Sequence, residues 1–350
     1  MNKNFKSLLF ILFSFLFISC QPEPVEVCAI ENQSLYQHYD FPVGVAIEPY
    51  QTAFFNENEP IIRTQFDRLT ASNRFKADFI HPEENTFFWT QADLIIEYAE
   101  ANNKSVHGHT LIWHEQLPTW MENFKGNRNE WEEMMKKHIT TIASRYKGKV
   151  KAWDVVNEAF LEDGTLRPNI WYKNMGSSYI EKAFQYAHEA DPGALLFYND
   201  FNLALRPAKR KAALDLMKQL KFKGLPIHGI GMQSHIAISY PSELDLALAM
   251  KEITDAGFKL HISELDVAVN GNSSSSFKLN SELLQRQAKR YKFVFENYSK
   301  LEKQYQYGIT IWGINDGESW IPGYFNREDY PLLFDETFSP KPAYCALINN

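Results

Sequence analysis

The stretch AWDVVNEAF, Ala152 to Phe160, is an apolar run that finishes on an amide and a carboxylate, Asn157 and Glu158. Its β-branched and aromatic content reads as a buried strand, and the polar pair at its end reads as the point where that strand leaves a core. Seven other segments of the same character accompany it: FPVGVAIE (41–48), RLTASN (68–73), SVHGHTLIWH (105–114), ALLFYNDF (194–201), GIGMQSHI (229–236), KLHISELDV (259–267) and YGITIWGIND (307–316). Between them lie patterns of period near 3.6, at 91–102, 130–148, 178–192, 208–224, 242–257 and 282–302. Gly148, Gly224 and Gly257 stand as stops for three of these helices, and Ser242 as the N-cap of one. Strands alternating with helices, with no Gly/Ser-rich or Pro-rich linker to divide them, predict a single (β/α)8 barrel. An open doubly wound sheet is the alternative, but the GIGMQ stretch lacks the GxGxxG turn such a sheet uses for phosphate.

In a closed barrel of this kind the chemistry gathers at the carboxyl ends of the strands. Strand three ends in His109, Trp113 and His114, strand four in Asn157 and Glu158, and strand five in Asn199 and Asp200. Strand six ends in Gln233 and His235, strand seven in Glu264 and Asp266, and strand eight in Trp312, Asn315 and Asp316. Polar groups converging on one rim must be hydrogen-bonded or used. Glu158 and Glu264 end strands that face each other across the barrel, so their carboxyls can meet across a bound substrate. That arrangement suits glycoside hydrolysis, one carboxyl protonating the leaving oxygen while the other attacks or stabilises the anomeric carbon. Trp113, Trp312 and Trp320 offer flat faces for pyranose rings, although indoles also fill ordinary cores. A rival reading takes His107 and His109, with His235 and Asp316, as ligands of a hydrolytic metal.

The 350-residue chain is 45% apolar and 15% aromatic, enough for a large core, and its formal net charge of -7 is not blocked along the sequence. No run of Lys and Arg is long enough to follow a phosphate backbone, so nucleic acid is not an expected partner. At the N-terminus Lys3 and Lys6 precede SLLFILFSFLFIS, an apolar run short for a membrane span, and Cys20 follows Ser19. This layout resembles a bacterial lipoprotein signal, with residues 1–19 removed and Cys20 lipidated, although Phe17 stands where such signals usually carry Leu. A simple cleaved signal or a transmembrane anchor is the alternative. Pro22 and Pro24 make the following segment a short extended tether, 20–34, ahead of a catalytic domain at 35–350. Cys28 and Cys345 are the only later cysteines; export permits a disulfide, and two free thiols are the alternative.

The motifs GHTLIWH, WDVVNEA, YNDFN, MQSHI, ISELDV and ITIWGINDGESW, in this order, resemble family 10 glycoside hydrolases, the retaining endo-β-1,4-xylanases. The resemblance spans residues 41–344. It implies that Glu158 is the general acid/base and Glu264 the nucleophile, that Asn157 binds the 2-hydroxyl of the cleaved sugar, and that His235 bonds the nucleophile with Asp266 beyond it. Asn73, Lys76, His109, Trp113, Gln233, Trp312 and Trp320 would line the sugar subsites. No cofactor or metal is implied, and the expected partners are xylan or xylo-oligosaccharides and, through Cys20, a membrane; the protein is expected to be an exported monomer on the outer membrane or cell surface. One departure stands out: where the family reads AENAMKW, this chain has ASNRFKA (71–77), with Ser72 in place of a sugar-binding Glu and Ala77 in place of a Trp. A serine there leaves room beside the glycone and implies tolerance of a decorated xylan or of another β-linked glycan.

Overall fold

In the computed structural model, which describes residues 28, 34–49, 52–274 and 276–349, the strands close into a ring. They are β1 (Val43–Ile47), β2 (Arg68–Ala71), β3 (Ser105–Ile112), β4 (Val150–Asn157), β5 (Leu195–Asp200), β6 (Gly229–Met232), β7 (His235–Ala237), β8 (Lys259–Ala268) and β9 (Gln306–Ile311). The order is β6-β5-β4-β3-β2-β1-β9-β8, and β6 pairs with β8 to seal the barrel. All the pairings are parallel, and β7 is a short outer continuation of the sixth staff that pairs only with the far end of β8, His235 opposite Asp266. Eight helices follow the eight staves: α1 (Thr52–Gln65), α2 (Thr90–Ala101), α3 (Arg128–Arg145), α4 (Ser178–Ala190), α5 (Pro207–Phe222), α6 (Glu243–Asp255), α7 (Ser281–Ser299) and α8 (Pro342–Ile348). This is the (β/α)8 barrel that the alternation of elements predicts.

Strands covered on both faces must be apolar along their whole length, and β1, β2 and β6 are buried at every position. Helices pack their apolar stripes outside them, as α4 does with Ile180, Ala183, Phe184 and Ala187. Low in the barrel the filling is polar but paired: Arg68 lies 4.0 Å from the Tyr307 ring centre and donates to the Tyr307 carbonyl, while His107 meets the Tyr307 hydroxyl at 3.1 Å and His261 meets Thr310 at 2.8 Å. The expected helix signals hold. Ser242 caps α6 through the Asp245 amide, and Gly148, Gly224 and Gly257 all take positive φ where their helices stop.

Three features differ from the sequence reading. GIGMQSHI is not one strand, because the chain breaks between β6 and β7, where Ser234 has a φ of 63° and the Gln233 carbonyl accepts from the Glu264 amide. Strand seven, read as 259–267, is β8 at Lys259–Ala268, so Glu264 lies inside the strand rather than at its end. Helices α8 and α1 are missing from the periodic segments of the sequence, α8 because its seven residues are nearly all buried instead of striped, and α1 because Pro60 lies inside it. The spacing of α1 was nonetheless helical: Phe54, Phe55, Asn58, Ile61 and Ile62 are the buried face.

Cys28 and Cys345 are joined in a disulfide with a Cα separation of 5.6 Å, which settles the choice left open by the sequence. It ties the N-terminal segment to α8, beside the bond from the Tyr39 hydroxyl to the Leu347 carbonyl. A bridge between residues 317 apart removes much of the freedom of the unfolded chain. Cys28→Ser is therefore expected to cost about 2–4 kcal/mol, read as a lower denaturant midpoint under non-reducing conditions. A midpoint equal to that of the unaltered protein would show that the bridge does not restrict the unfolded ensemble.

Candidate active site

At the carboxyl ends of the barrel strands, side chains from β4, β5, the break between β6 and β7, β7 and β8 form one hydrogen-bonded chain between two buried carboxylates. Glu158 follows β4 in a left-handed conformation with a φ of 58°, a costly geometry for a residue with a side chain. Its Oε1 accepts from Asn157 Nδ2 at 3.2 Å and from Gln233 Nε2 at 3.0 Å. Glu264 accepts at Oε1 from Asn199 Nδ2 at 2.8 Å and at Oε2 from His235 Nε2 at 3.2 Å. Asn199 Nδ2 also donates to Asn157 Oδ1 at 2.9 Å, and Gln233 Nε2 reaches the same oxygen at 3.3 Å, so the two carboxylates are linked through three amides.

Asn199 is oriented from below, its Oδ1 accepting from Ser263 Oγ at 2.6 Å. Gly231 makes this possible, since a Cβ there would fall on the Asn199 amide. His235 stands between two acids, donating through Nδ1 to Asp266 Oδ2 at 2.8 Å and through Nε2 to Glu264. Asp266 Oδ2 takes a further bond from Trp320 Nε1 at 2.9 Å. His109 points its Nδ1 at Asp154 Oδ2, 2.9 Å away, and its ring meets Trp312 edge-on at 5.4 Å. Lys76 donates to Asn73 at 3.0 Å and to Gln116 at 2.8 Å, with its ammonium 4.7 Å from the Trp113 ring centre.

These partners drive the two carboxyls apart in acidity. Burial raises the Glu158 pKa above the ordinary range; the Gln233 bond opposes the rise and the neighbouring Glu264 charge adds to it. Burial pushes Glu264 upward too, but the electrostatic influence of His109, the His235 bond and charge, and the Asn199 bond outweigh it and hold Glu264 below its ordinary value. Burial works against a charged His235, yet Asp266 and Glu264 on either side hold its pKa up at about 10. The two carboxyls are thus pushed in opposite directions, Glu158 toward keeping its proton and Glu264 toward giving it up, the division of labour that acid-assisted displacement needs.

All of Glu158, Glu264, His235, Asp266, Asn157, Gln233, His109, Asn73, Lys76, Trp113, Trp312 and Trp320 lie at this rim. Cys20 falls outside the described residues. Sequence reasoning placed Asn199 at the rim without giving it a role, and it passed over Asp154, Gln116 and Glu48. Asp154 was legible as an acid inside an apolar strand, whereas Gln116 sits in a loop, where nothing in the sequence marks it. The four residues of the metal reading do not converge. His107 and His109 both turn to Asp154, His235 to Asp266 and Glu264, and Asp316 to Lys341 and the Leu332 amide. Among the described residues no group of three or more potential ligands forms a cluster.

The space expected beside Ser72 is occupied. Glu48, just past β1, brings its carboxylate there, accepting from Ser72 Oγ at 2.5 Å and pairing with Arg74.

Residues 32–350 match the model of glycosyl hydrolase family 10. The chain belongs to that family. Across 99% of both chains it is 38% identical to a protein named beta-1,4-xylanase from Dictyoglomus thermophilum. It is also 38% identical, over 90% of its length, to a protein named Exoglucanase XynX from Acetivibrio thermocellus, and it spans 29% of that longer protein. Xylanase 10B from Thermotoga petrophila, solved in complex with xylobiose, superposes with a TM-score of 0.85 at 35% identity, covering 91% of this chain and 97% of the other. For a family 10 barrel with this His235 geometry, His235→Gln removes the cation beside Glu264. The Glu264 pKa is expected to rise, as followed by carboxyl carbon NMR across a pH titration. An unmoved titration would show that His235 does not set the charge state of Glu264.

Proposed function

We propose that this family 10 glycoside hydrolase works by retaining double displacement with Glu264 as nucleophile and Glu158 as general acid/base. The protein is an endo-1,4-β-xylanase, cleaving internal bonds of xylan, in keeping with relatives named beta-1,4-xylanase and endo-1,4-beta-xylanase. The observation that carries the mechanism is the opposed acidity of two buried carboxyls linked by one amide chain.

In the first step Glu158 gives its proton to the glycosidic oxygen while a Glu264 oxygen attacks the anomeric carbon; the bond to the leaving sugar breaks and a glycosyl ester forms. In the second step Glu158, now a carboxylate, takes a proton from water, and the water oxygen displaces Glu264. The doubly protonated His235 donates to Glu264 and keeps it ionised before attack. Asn157 uses one amide hydrogen on Glu158 and has the second for the oxygen of the sugar 2-hydroxyl. Trp113, Trp312 and Trp320 supply ring faces for sugars, and Asn73, Lys76, His109 and Gln233 supply polar contacts.

Export with a lipid anchor at Cys20 completes the reading. Its supports are the apolar leader ending at Ser19–Cys20 and the disulfide, a bond that persists in oxidising compartments. Among the described residues no helix is long and apolar enough to cross a membrane.

Glu264→Ala is expected to abolish cleavage of xylan. Glu158→Ala should lower kcat/KM on xylan by about 10²–10⁴-fold, lose far less on aryl xylosides with good leaving groups, and erase the alkaline limb of the pH profile. Equal losses on both substrate types, or an intact limb, would remove Glu158 from the acid role. Release of reducing sugar from xylan but not from β-1,4-glucan separates the xylanase from an exoglucanase. Cys20→Ser is expected to move the protein from the membrane to the soluble fraction of cells; continued sedimentation with membranes would end the lipoprotein reading.

A further inference from the structure

The strip of polar residues that leads away from the catalytic pair along the ends of β1 and β2 contains a carboxylate that the mechanism does not use. We propose that Glu48 is a specificity-determining residue: it accepts hydrogen bonds from hydroxyls of the sugar one unit upstream of the cleaved one. Ser72 and Arg74 are its positioning residues. The proposal rests on the reading of Glu264 as nucleophile, which defines the upstream side.

The strip is continuous. Lys76, whose strongest charge partner is Glu264 ahead of Glu158, is joined to Asn73 and Gln116, and Gln116 Nε2 donates to Asn73 Oδ1 at 3.1 Å. Ser72 precedes Asn73, its amide held by the Ile47 carbonyl at 3.0 Å across the parallel β1–β2 pair. Its hydroxyl hydrogen goes to Glu48 Oε2 at 2.5 Å, in preference to the Ile47 carbonyl at 3.2 Å. Arg74 holds Oε1 at 2.5 Å and packs its guanidinium 4.6 Å from the Phe79 ring centre.

Two features distinguish a sugar-facing group from a mere partner for Arg74. The open member of the pair is the acid: the Glu48 side chain is 19% exposed and the Arg74 side chain 5%. An ionised carboxylate has about four acceptor directions; Oε1 is buried against Arg74, and Oε2, which takes the Ser72 hydroxyl, keeps a direction for a hydroxyl donor. The identity of Ser72 follows. An acid at position 72 would set a second negative charge against Glu48, whereas a short hydroxyl both fits and donates. The carboxylate that the strand-two motif lacks is supplied from the end of strand one.

The test compares p-nitrophenyl β-xylobioside, which fills the upstream site, with p-nitrophenyl β-xyloside, which does not; the leaving group is the same. The readout is the ratio of their kcat/KM values, in the unaltered enzyme and in Glu48→Ala, Glu48→Gln and Ser72→Glu, with thermal unfolding confirming a folded protein. Loss of a charge-assisted bond predicts that Glu48→Ala lowers the ratio about tenfold to a hundredfold. Glu48→Gln, which keeps shape and one acceptor oxygen, should fall between, and Ser72→Glu should lower the ratio as well. A ratio unchanged in Glu48→Ala overturns the proposal, as does a rise in Ser72→Glu. Equal losses on both substrates would also overturn it, by placing the effect of Glu48 on the catalytic centre. An unaltered enzyme that shows no preference for the xylobioside would instead overturn the assignment of this rim to the upstream side.

Discussion

One amide group, the Nδ2 of Asn199, holds the two halves of the catalytic centre together. It is shared between Asn157 Oδ1 and Glu264 Oε1, at 2.9 and 2.8 Å, and so joins β4 to β8 across the mouth of the barrel. Those strands place Glu158 and Glu264 but do not touch, since β5 and β6 stand between them. Parallel barrel strands fix where each side chain starts, not where its terminal atoms end. Side-chain amides do the rest: Ser263 sets the face of Asn199, Gly231 leaves room for it, and Gln233 repeats the link one strand further round. Buried amides that find all their partners adopt one arrangement, which is the condition for catalytic atoms to be held in register.

The same links make the environments of the two acids unequal. Glu264 receives the His235 donor, and His235 is in turn kept charged by Asp266, which also receives the Trp320 indole hydrogen. The donors to Glu158 are neutral, the amides of Asn157 and Gln233 with the indole of Trp113 beside them, and these are weaker counterweights to burial than a cation. Proton affinity is therefore raised on one side of the cleft and lowered on the other.

The barrel and most of the rim were legible because both are written locally. An apolar run that closes on a polar pair, as in WDVVNEA, announces a strand end whatever the rest of the chain does, and the acids of ISELDV mark the same rim although their strand runs on past them. What was not legible depends on partners distant in sequence or on local signals in conflict. Pro60 hid α1 although its buried face has helical spacing. The break between β6 and β7 is set by the Glu264 amide reaching the Gln233 carbonyl, a contact that a one-strand reading of GIGMQSHI does not contain. Ser72 read alone suggested a lost acid, because its compensation by Glu48 lies just past the neighbouring strand, 24 residues earlier. Cys28 and Cys345 left two readings open because only the fold brings the chain's ends together.

Because the Cys28–Cys345 bridge joins positions near the two ends, the polypeptide between them forms a covalent ring. A single peptide-bond cut in an exposed connection, such as the serine-rich segment between β8 and α7, opens that ring without dividing it. Both sides of the nick stay attached through sulfur, so the fragments re-encounter each other at a fixed, high effective concentration rather than by diffusion. Damage to one loop is then a local event, and two cuts are needed before a piece of the barrel can leave.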